Sequence, residues 1–261
     1  MAISNAYPLE ILGNRAVIEL RGVGILSFLH NILTCSVESL NQGGLAYGAL
    51  LSPQGKILHD VFTHQAGASV YLDCDLAGRD DLVAKLKLYR LRAKFEILAR
   101  DELAVQVGGE GAADPRHAVL GGRRIMAGAA HDEASHYQAR RFALGIADSA
   151  EIGSNQLFPH EANFDFFGGV DFKKGCYIGQ EVVSRMQHRG TARSRILPVT
   201  FDIHQPTDEV KTVDPPTDEN RVAKVLGRHG EMGLALVRLD RLTEEGAPAG
   251  LRITMPDWMK L

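Results

Sequence analysis

The chain has 261 residues, 45% of them apolar and 23% charged, and a formal net charge of −3. Such a composition supplies a core for one large or two modest domains and excludes a disordered chain. The slightly acidic balance argues against a protein coated in nucleic acid, and no apolar run reaches the ~18–20 residues that cross a bilayer.

Met1 to Pro8 carry neither an apolar signal core nor the arginines of a transit peptide, which predicts a cytoplasmic protein. Strands are expected within residues 9–21. From Ile25, the apolar positions Ile25, Phe28, Leu29, Ile32 and Leu33 recur at spacings of three and four, the stripe of an amphipathic helix. Gly22 and Gly24 before it read as turn and helix-entry residues, because a lone GxG is a weak nucleotide signal. Leu45, Tyr47, Ala49 and Leu51 alternate, Ser52-Pro-Gln-Gly55 suits a type I turn, and Ile57 to Thr63 returns, predicting a hairpin. A strand at Val70–Cys74, a helix carrying Leu82, Val83, Leu86 and Tyr89, and a strand at Phe95–Ala99 follow. This order predicts an α+β layer, with helices on one face of a largely antiparallel sheet.

Residues 108–122 and 127–130, rich in glycine and alanine, read as loops or a boundary, and 153–170 is loop-like. A helix is expected from about Gln180. Ile196–Ile203 and Val222–Val237 read as strands separated by a long polar loop at Pro206–Asn220. The predicted organisation is an α+β body over residues 1–190 and a small all-β unit over 191–261.

Two stretches reverse the overall charge. Lys85, Lys87, Arg90, Arg92 and Lys94 form a run without an acid. Between 173 and 195, Lys173, Lys174, Arg185, Arg189, Arg193 and Arg195 stand against Glu181 alone. Charge runs are usually solvated faces, but the second stretch interleaves its cations with Gly175, Cys176, Gly179 and Gln180, and a negatively charged ligand or partner is its natural complement.

The three cysteines, Cys35, Cys74 and Cys176, form no close pair, so neither a disulfide framework nor a metal site made by this chain alone is expected. A reducing compartment fits this usage. In Lys173-Lys-Gly-Cys-Tyr-Ile-Gly-Gln-Glu181, Gly175 and Gly179 bracket the cysteine, and both lysines and Arg185 favour a thiolate. The functional reading is a reactive Cys176; the competing one is a small buried apolar residue with glycines as packing devices. No GxSxG, P-loop, HExxH or deaminase signature is present. Asp60 and Glu161 can accept hydrogen bonds from a ligand or can cap turns.

Leu157-Phe-Pro-His-Glu-Ala-Asn163, Gly168-Gly-Val-Asp171 and Lys174-Gly-Cys-Tyr-Ile-Gly-Gln-Glu181, continued by Arg185 and Arg189-Gly190, resemble the signature of the YgfZ family of folate-binding proteins, relatives of the glycine cleavage T-protein. The resemblance extends to Phe28–Thr34, Tyr47–Asp60 and Gly233–Arg238. It implies a T-protein-like α+β folate-binding body with mixed and antiparallel sheets, followed by a C-terminal antiparallel β-barrel. It also implies an accessory role in assembly or repair of iron–sulfur clusters, supporting cluster-dependent enzymes such as those that thiolate tRNA. Cys176 takes the place of the family's cysteine, with Lys174, Gly175, Tyr177, Gly179, Gln180, Glu181 and Arg185 around it. Tetrahydrofolate is the implied cofactor, with Tyr47, Asp60, Glu161 and Arg189 as candidate contacts.

Several T-protein features are missing. The segment G-E-D-G-Y-E has no counterpart between Gly108 and Arg140, R-L-E-A-G stands here as Arg141-Phe-Ala-Leu-Gly145, and an aspartate has become Cys176. An edge-on pterin needs a buried acid facing its N–H donors, so aminomethyl transfer is disfavoured. The expected partners are therefore folate and iron–sulfur client or assembly proteins, with no direct nucleic acid, no membrane and a monomeric chain. No stably bound iron–sulfur cluster or metal is expected, since one cysteine supplies one of about four ligands. A folate-dependent one-carbon transferase is the alternative, and an RNA adaptor using the basic stretch at 173–195 ranks third.

Overall fold

The computed structural model describes residues 7–38, 40, 43–128, 134–190, 192–201, 222–242 and 250–259. The chain opens with β1 (Glu10–Ile11), β2 (Arg15–Gly22) and α1 (Ile25–Ile32). The hairpin β3 (Leu45–Leu51) and β4 (Ile57–Ala66) follows, then β5 (Ser69–Asp75), α2 (Arg79–Arg90) and β6 (Phe95–Ala99). These strands make an antiparallel five-stranded sheet in the order β3-β4-β5-β2-β6. Ile25, Leu29 and Ile32 of α1 and Leu82 and Leu86 of α2 are buried on one face of it, against Ile18, Leu20, Val61 and Leu72. The helical stripes and the predicted layer are present as the apolar spacing requires. Gly55 donates to the Ser52 carbonyl at 2.8 Å and closes the turn between β3 and β4.

The hairpin departs from simple alternation, because both of its faces are buried. Leu50 and Val61 enter the core under α1 and α2, whereas Tyr47, Ala49, Leu51 and Phe62 enter a second core on the opposite side.

The expected loop at 108–122 is strand as far as Ala113 and turns and a 3-10 helix (Ala118–Leu120) from there to Gly121. β7 (Leu103–Ala113) pairs with β8 (Gly122–Ala127), and the register shifts between Val107 and Ala112. The glycines read as loop sit in that irregularity, where Gly108, Gly109 and Gly111 take positive φ; a bulged ladder needs such residues as much as a loop does. Of 127–130, Ala127 ends β8 and residues 129 and 130 lie outside the described residues. With β1, these strands form a second sheet, β1-β7-β8. It packs Val105 and Val107 with Tyr137 of α3 (Ser135–Leu144). A short helix, α4 (Ser149–Ile152), starts from a capping box in which Asp148 and Glu151 satisfy each other's backbone N–H.

Residues 153–170 form successive turns without regular structure, as expected, yet His160, Asn163, Phe164 and Phe167 are buried. The segment is a core loop. α5 (Gln180–Arg189) begins at the predicted residue. β9 (Ser194–Phe201), β10 (Ala223–His229), β11 (Met232–Arg238) and β12 (Leu251–Ile253) then make an antiparallel sheet in the order β10-β11-β9-β12. The polar stretch expected as a loop at Pro206–Asn220 lies outside the described residues. The second core joins all these pieces: hairpin residues Tyr47 and Phe62, Phe142 of α3, Phe164, Tyr177, Val183 of α5, and Ile196 and Leu234 of the last sheet.

Candidate functional site

The segment carrying Cys176 is held at three points. At its start, the Asp171 N–H donates to the Thr34 carbonyl at 3.0 Å, and the Thr34 hydroxyl donates to the Gly169 carbonyl at 2.5 Å. At its middle, Lys174 Nζ donates to the carbonyls of His30, Leu33 (2.6 Å) and Cys35 (3.1 Å), in the last turn of α1, at its C-cap and just beyond it. Its ammonium also lies 5.0 Å from the centroid of the Tyr177 ring. Burial lowers the Lys174 pKa from its ordinary value. Lys174 is therefore a staple between the signature loop and α1, which corrects its expected role as a charge serving the thiol.

At its end, Gly179 takes a left-handed φ of 80° as the N-cap of α5. A Cβ there would stand 2.6 Å from the Ser52 carbonyl oxygen and 3.0 Å from the Gly55 Cα. Gly55 itself has φ 82°, and a Cβ on it would meet Val182 at 2.9 Å. Two glycines thus let the tip of the hairpin sit on the first turn of α5. Gly175 has neither a positive φ nor a close neighbour within the chain, so the left-handed backbone that favours glycine is found at Gly179 and not at Gly175.

Between these anchors Cys176 is exposed. Tyr177 next to it is buried in the second core, with its hydroxyl pushed up to about 12 by burial. Gln180 and Glu181 open α5, where a carboxylate complements the helix dipole. Of the six cations between 173 and 195, Lys173, Arg185, Arg189 and Arg193 are exposed, whereas Lys174 and Arg195 are spent on internal partners. Four exposed cations therefore remain on this stretch, against the exposed Glu181.

Beside this loop lies a cleft of about 490 Å³, within the ~300–1,000 Å³ range of small-ligand sites. Phe172 and Met186 form apolar parts of its wall, and His160, Gln187, Asp165 and Arg195 its polar parts. His160 Nε2 lies 3.0 Å from Gln187 Oε1, and Arg195 reaches both Asp165 oxygens at 2.6 and 2.8 Å. Burial lowers the His160 pKa, which favours the neutral ring. Sequence reasoning missed this cleft; its one signal was the histidine in Pro159-His-Glu161.

The four residues expected to hold folate do not share an open pocket. Tyr47 is buried, its ring 4.8 Å from Phe62 and 4.7 Å from Phe164, with the Arg116 guanidinium 5.2 Å from its centroid. Asp60 accepts from the Ser149 hydroxyl and lies 3.4 Å from Arg15. It borders a crevice of about 70 Å³, too small for a pterin. Glu161 accepts the Phe158 N–H at 2.9 Å within its own turn, and burial raises its pKa. Arg189 is exposed in the last turn of α5.

The space next to Tyr47 and Asp60 is filled by a buried ionic network. Arg15 Nε and Arg123 Nε each donate to Asp73 at 2.6 Å, and Arg116 pairs with Asp114 (2.9 Å) and Asp148 (2.6 Å). The Arg123 guanidinium lies 3.8 Å from the Phe62 centroid. Burial alone would raise Asp73 and Asp148. Arg123 and Arg15 overcome it for Asp73, Arg116 and Arg141 for Asp148, and hold both carboxyls well below the usual range. The residues present do not fit folate on these four contacts.

Over the whole architecture, the chain superposes on the crystal structure of glycine cleavage system aminomethyltransferase T from Bartonella henselae with a TM-score of 0.68, covering 96% of this chain and 86% of that one at 14% identity. The fold is that of the T-protein. Residues 193–261 match the family described as the CAF17 C-terminal beta-barrel domain. Among curated proteins, the chain is 28% identical over 95% of its length, and 84% of theirs, to the iron-sulfur cluster assembly factor IBA57 homolog, mitochondrial, of Pyricularia oryzae. The human protein of that name is 27% identical with the same coverage. The Chaetomium globosum homolog is 32% identical over 74% of this chain but 56% of its own length. These relatives carry a mitochondrial designation, so the expectation of a cytoplasmic protein does not stand.

Proposed function

We propose that this chain is an accessory factor in iron–sulfur cluster assembly, which presents Cys176 to a cluster-bearing partner protein. The observation that carries the reading is an exposed thiol on a loop fixed at both sides, in a chain similar over nearly its whole length to cluster assembly factors. A cluster needs about four protein ligands, and one thiolate supplies one. Cys176 therefore acts with ligands from a partner, and the exposed Lys173, Arg185 and Arg189 favour an acidic docking face and the net negative charge of a thiolate-ligated cluster. The likeness supports a role of the IBA57 kind, with the YgfZ-type signature as its chemical core. The client enzymes are those that need an intact cluster, tRNA-thiolating enzymes among them.

A one-carbon transferase has weaker support. The Bartonella enzyme shares the fold at 14% identity, and in this chain the space beside Tyr47 and Asp60 is filled by the buried Arg15, Arg116 and Arg123 network.

The test is complementation of a strain deleted for the protein, scored by a cluster-dependent tRNA thiolation. Wild type restores it and Cys176→Ala does not, at equal protein level. Full rescue by the alanine variant would sink the assignment of Cys176.

A further inference from the structure

Away from the signature loop, the surface is both apolar and cationic at one edge of the five-stranded sheet, where β2 turns into α1 and α2 turns into β6. Val23 and Leu91 are each 84% exposed and Leu88 is 68% exposed. The two turns are neighbours: Gly22 pairs with Phe95, four residues past Leu91, and the ring of Phe28 lies 5.0 Å from that of Phe95. Leu91 stands at φ 51°, a left-handed angle that glycine adopts freely and leucine only under strain.

Lys87, Arg92 and Lys94 surround these side chains, exposed and without an ion pair among the described residues. The other nearby cations are engaged: Lys85 with Asp81 (3.3 Å), Arg21 with Glu19 (3.0 Å), and Arg90 with the Phe95 carbonyl (2.7 Å). Glu96, the register partner of Arg21, is exposed at this edge. Asp80 and Asp81 lie in the first turn of α2, about 15 Å along the helix from Leu91 and about 9 Å from Lys87.

We propose that this edge is a peripheral docking tip for an anionic lipid surface, with Val23, Leu88 and Leu91 entering the interfacial zone and Lys87, Arg92 and Lys94 holding headgroups. The chemistry separates this from other anionic partners. A nucleic acid strand asks for cations and stacking rings, not projecting aliphatic groups. An acidic protein would need a groove shaped to two convex turns. A bilayer interface accepts projecting aliphatic side chains and attracts the cations beside them. No helix among the described residues is long and apolar enough to span a membrane, so the contact is superficial. It departs from the sequence expectation of no membrane partner. Three cations, each contributing about fivefold in partitioning, give weak and reversible binding.

The test is flotation of the full chain with vesicles of phosphatidylcholine containing about one third phosphatidylserine, against phosphatidylcholine alone. Binding is expected on the anionic vesicles only, and is lost when salt is raised to about 0.5 M. It falls about tenfold in Leu91→Gly and disappears in Lys87→Glu/Lys94→Glu. Because Leu91→Gly relieves the backbone, its thermal midpoint stays at or above the parent's, which separates lost insertion from lost folding. The proposal is overturned by no binding to anionic vesicles, equal binding to neutral ones, or unchanged binding of Leu91→Gly. It is equally overturned if soluble polyglutamate or single-stranded RNA binds as tightly as the anionic vesicles and Leu91→Gly leaves that binding intact.

Discussion

Cys176 and Lys174 stand two positions apart and do opposite work. The thiol faces solvent, and the ammonium closes three carbonyls of another segment. Their substitutions should separate cleanly. Cys176→Ser leaves the unfolding free energy within about 0.5 kcal/mol of the parent's, as surface changes usually do. Lys174→Met strands buried acceptors and costs about 1.5–3 kcal/mol, read as a lower denaturant midpoint. The cysteine was legible in the sequence because its string of neighbours is so specific. The lysine's role was not, since its partners His30, Leu33 and Cys35 are brought to it only by the fold. The cleft residues His160, Gln187 and Arg195 stayed hidden for the same reason: they come from a loop, a helix and a strand that no local pattern links.

Among the elements, those with a single apolar period were readable, and those with a compromised one were not. α1 and α5 begin where spacing and glycine placed them. β7 was obscured by Gly108, Gly109 and Gly111, whose positive φ serves a register shift inside a strand. α3 buries Tyr137, Arg141 and Phe142, and the arginine breaks the stripe that would announce a helix. The contact of hairpin tip and α5 yields a firm expectation. Gly179→Ala forces a side chain against the Ser52 carbonyl at a left-handed angle, so it should cost about 2–4 kcal/mol. Equilibrium unfolding in urea, with the slope unchanged, measures it.

Across the whole molecule, the interior between the sheets is organised by arginine–carboxylate pairs as well as hydrocarbon. Asp73 receives both Arg15 and Arg123, so Asp73→Asn leaves two guanidinium groups under-compensated and should cost about 3–5 kcal/mol. Acid sensitivity follows with a definite sign. Asp73 and Asp148 have folded pKa values well below their unfolded ones, so the unfolded chain binds the extra protons. Their contribution is complete above about pH 4–5 and is lost as pH falls below it, at about 1.4 kcal/mol per pH unit for each group. Denaturant midpoints measured from neutral pH downward should drop accordingly, and the slope should flatten in Asp73→Asn. Composition foretold a sizeable core but not this network, whose members lie far apart along the chain.

The burial of Cys35 and Cys74, which pushes both thiols up to about 12, has a practical corollary. In its native state the protein is chemically a single-thiol molecule. A maleimide dye should therefore attach once per folded chain and three times after denaturation. A spectroscopic reporter can thus be placed on the signature loop of the unaltered sequence.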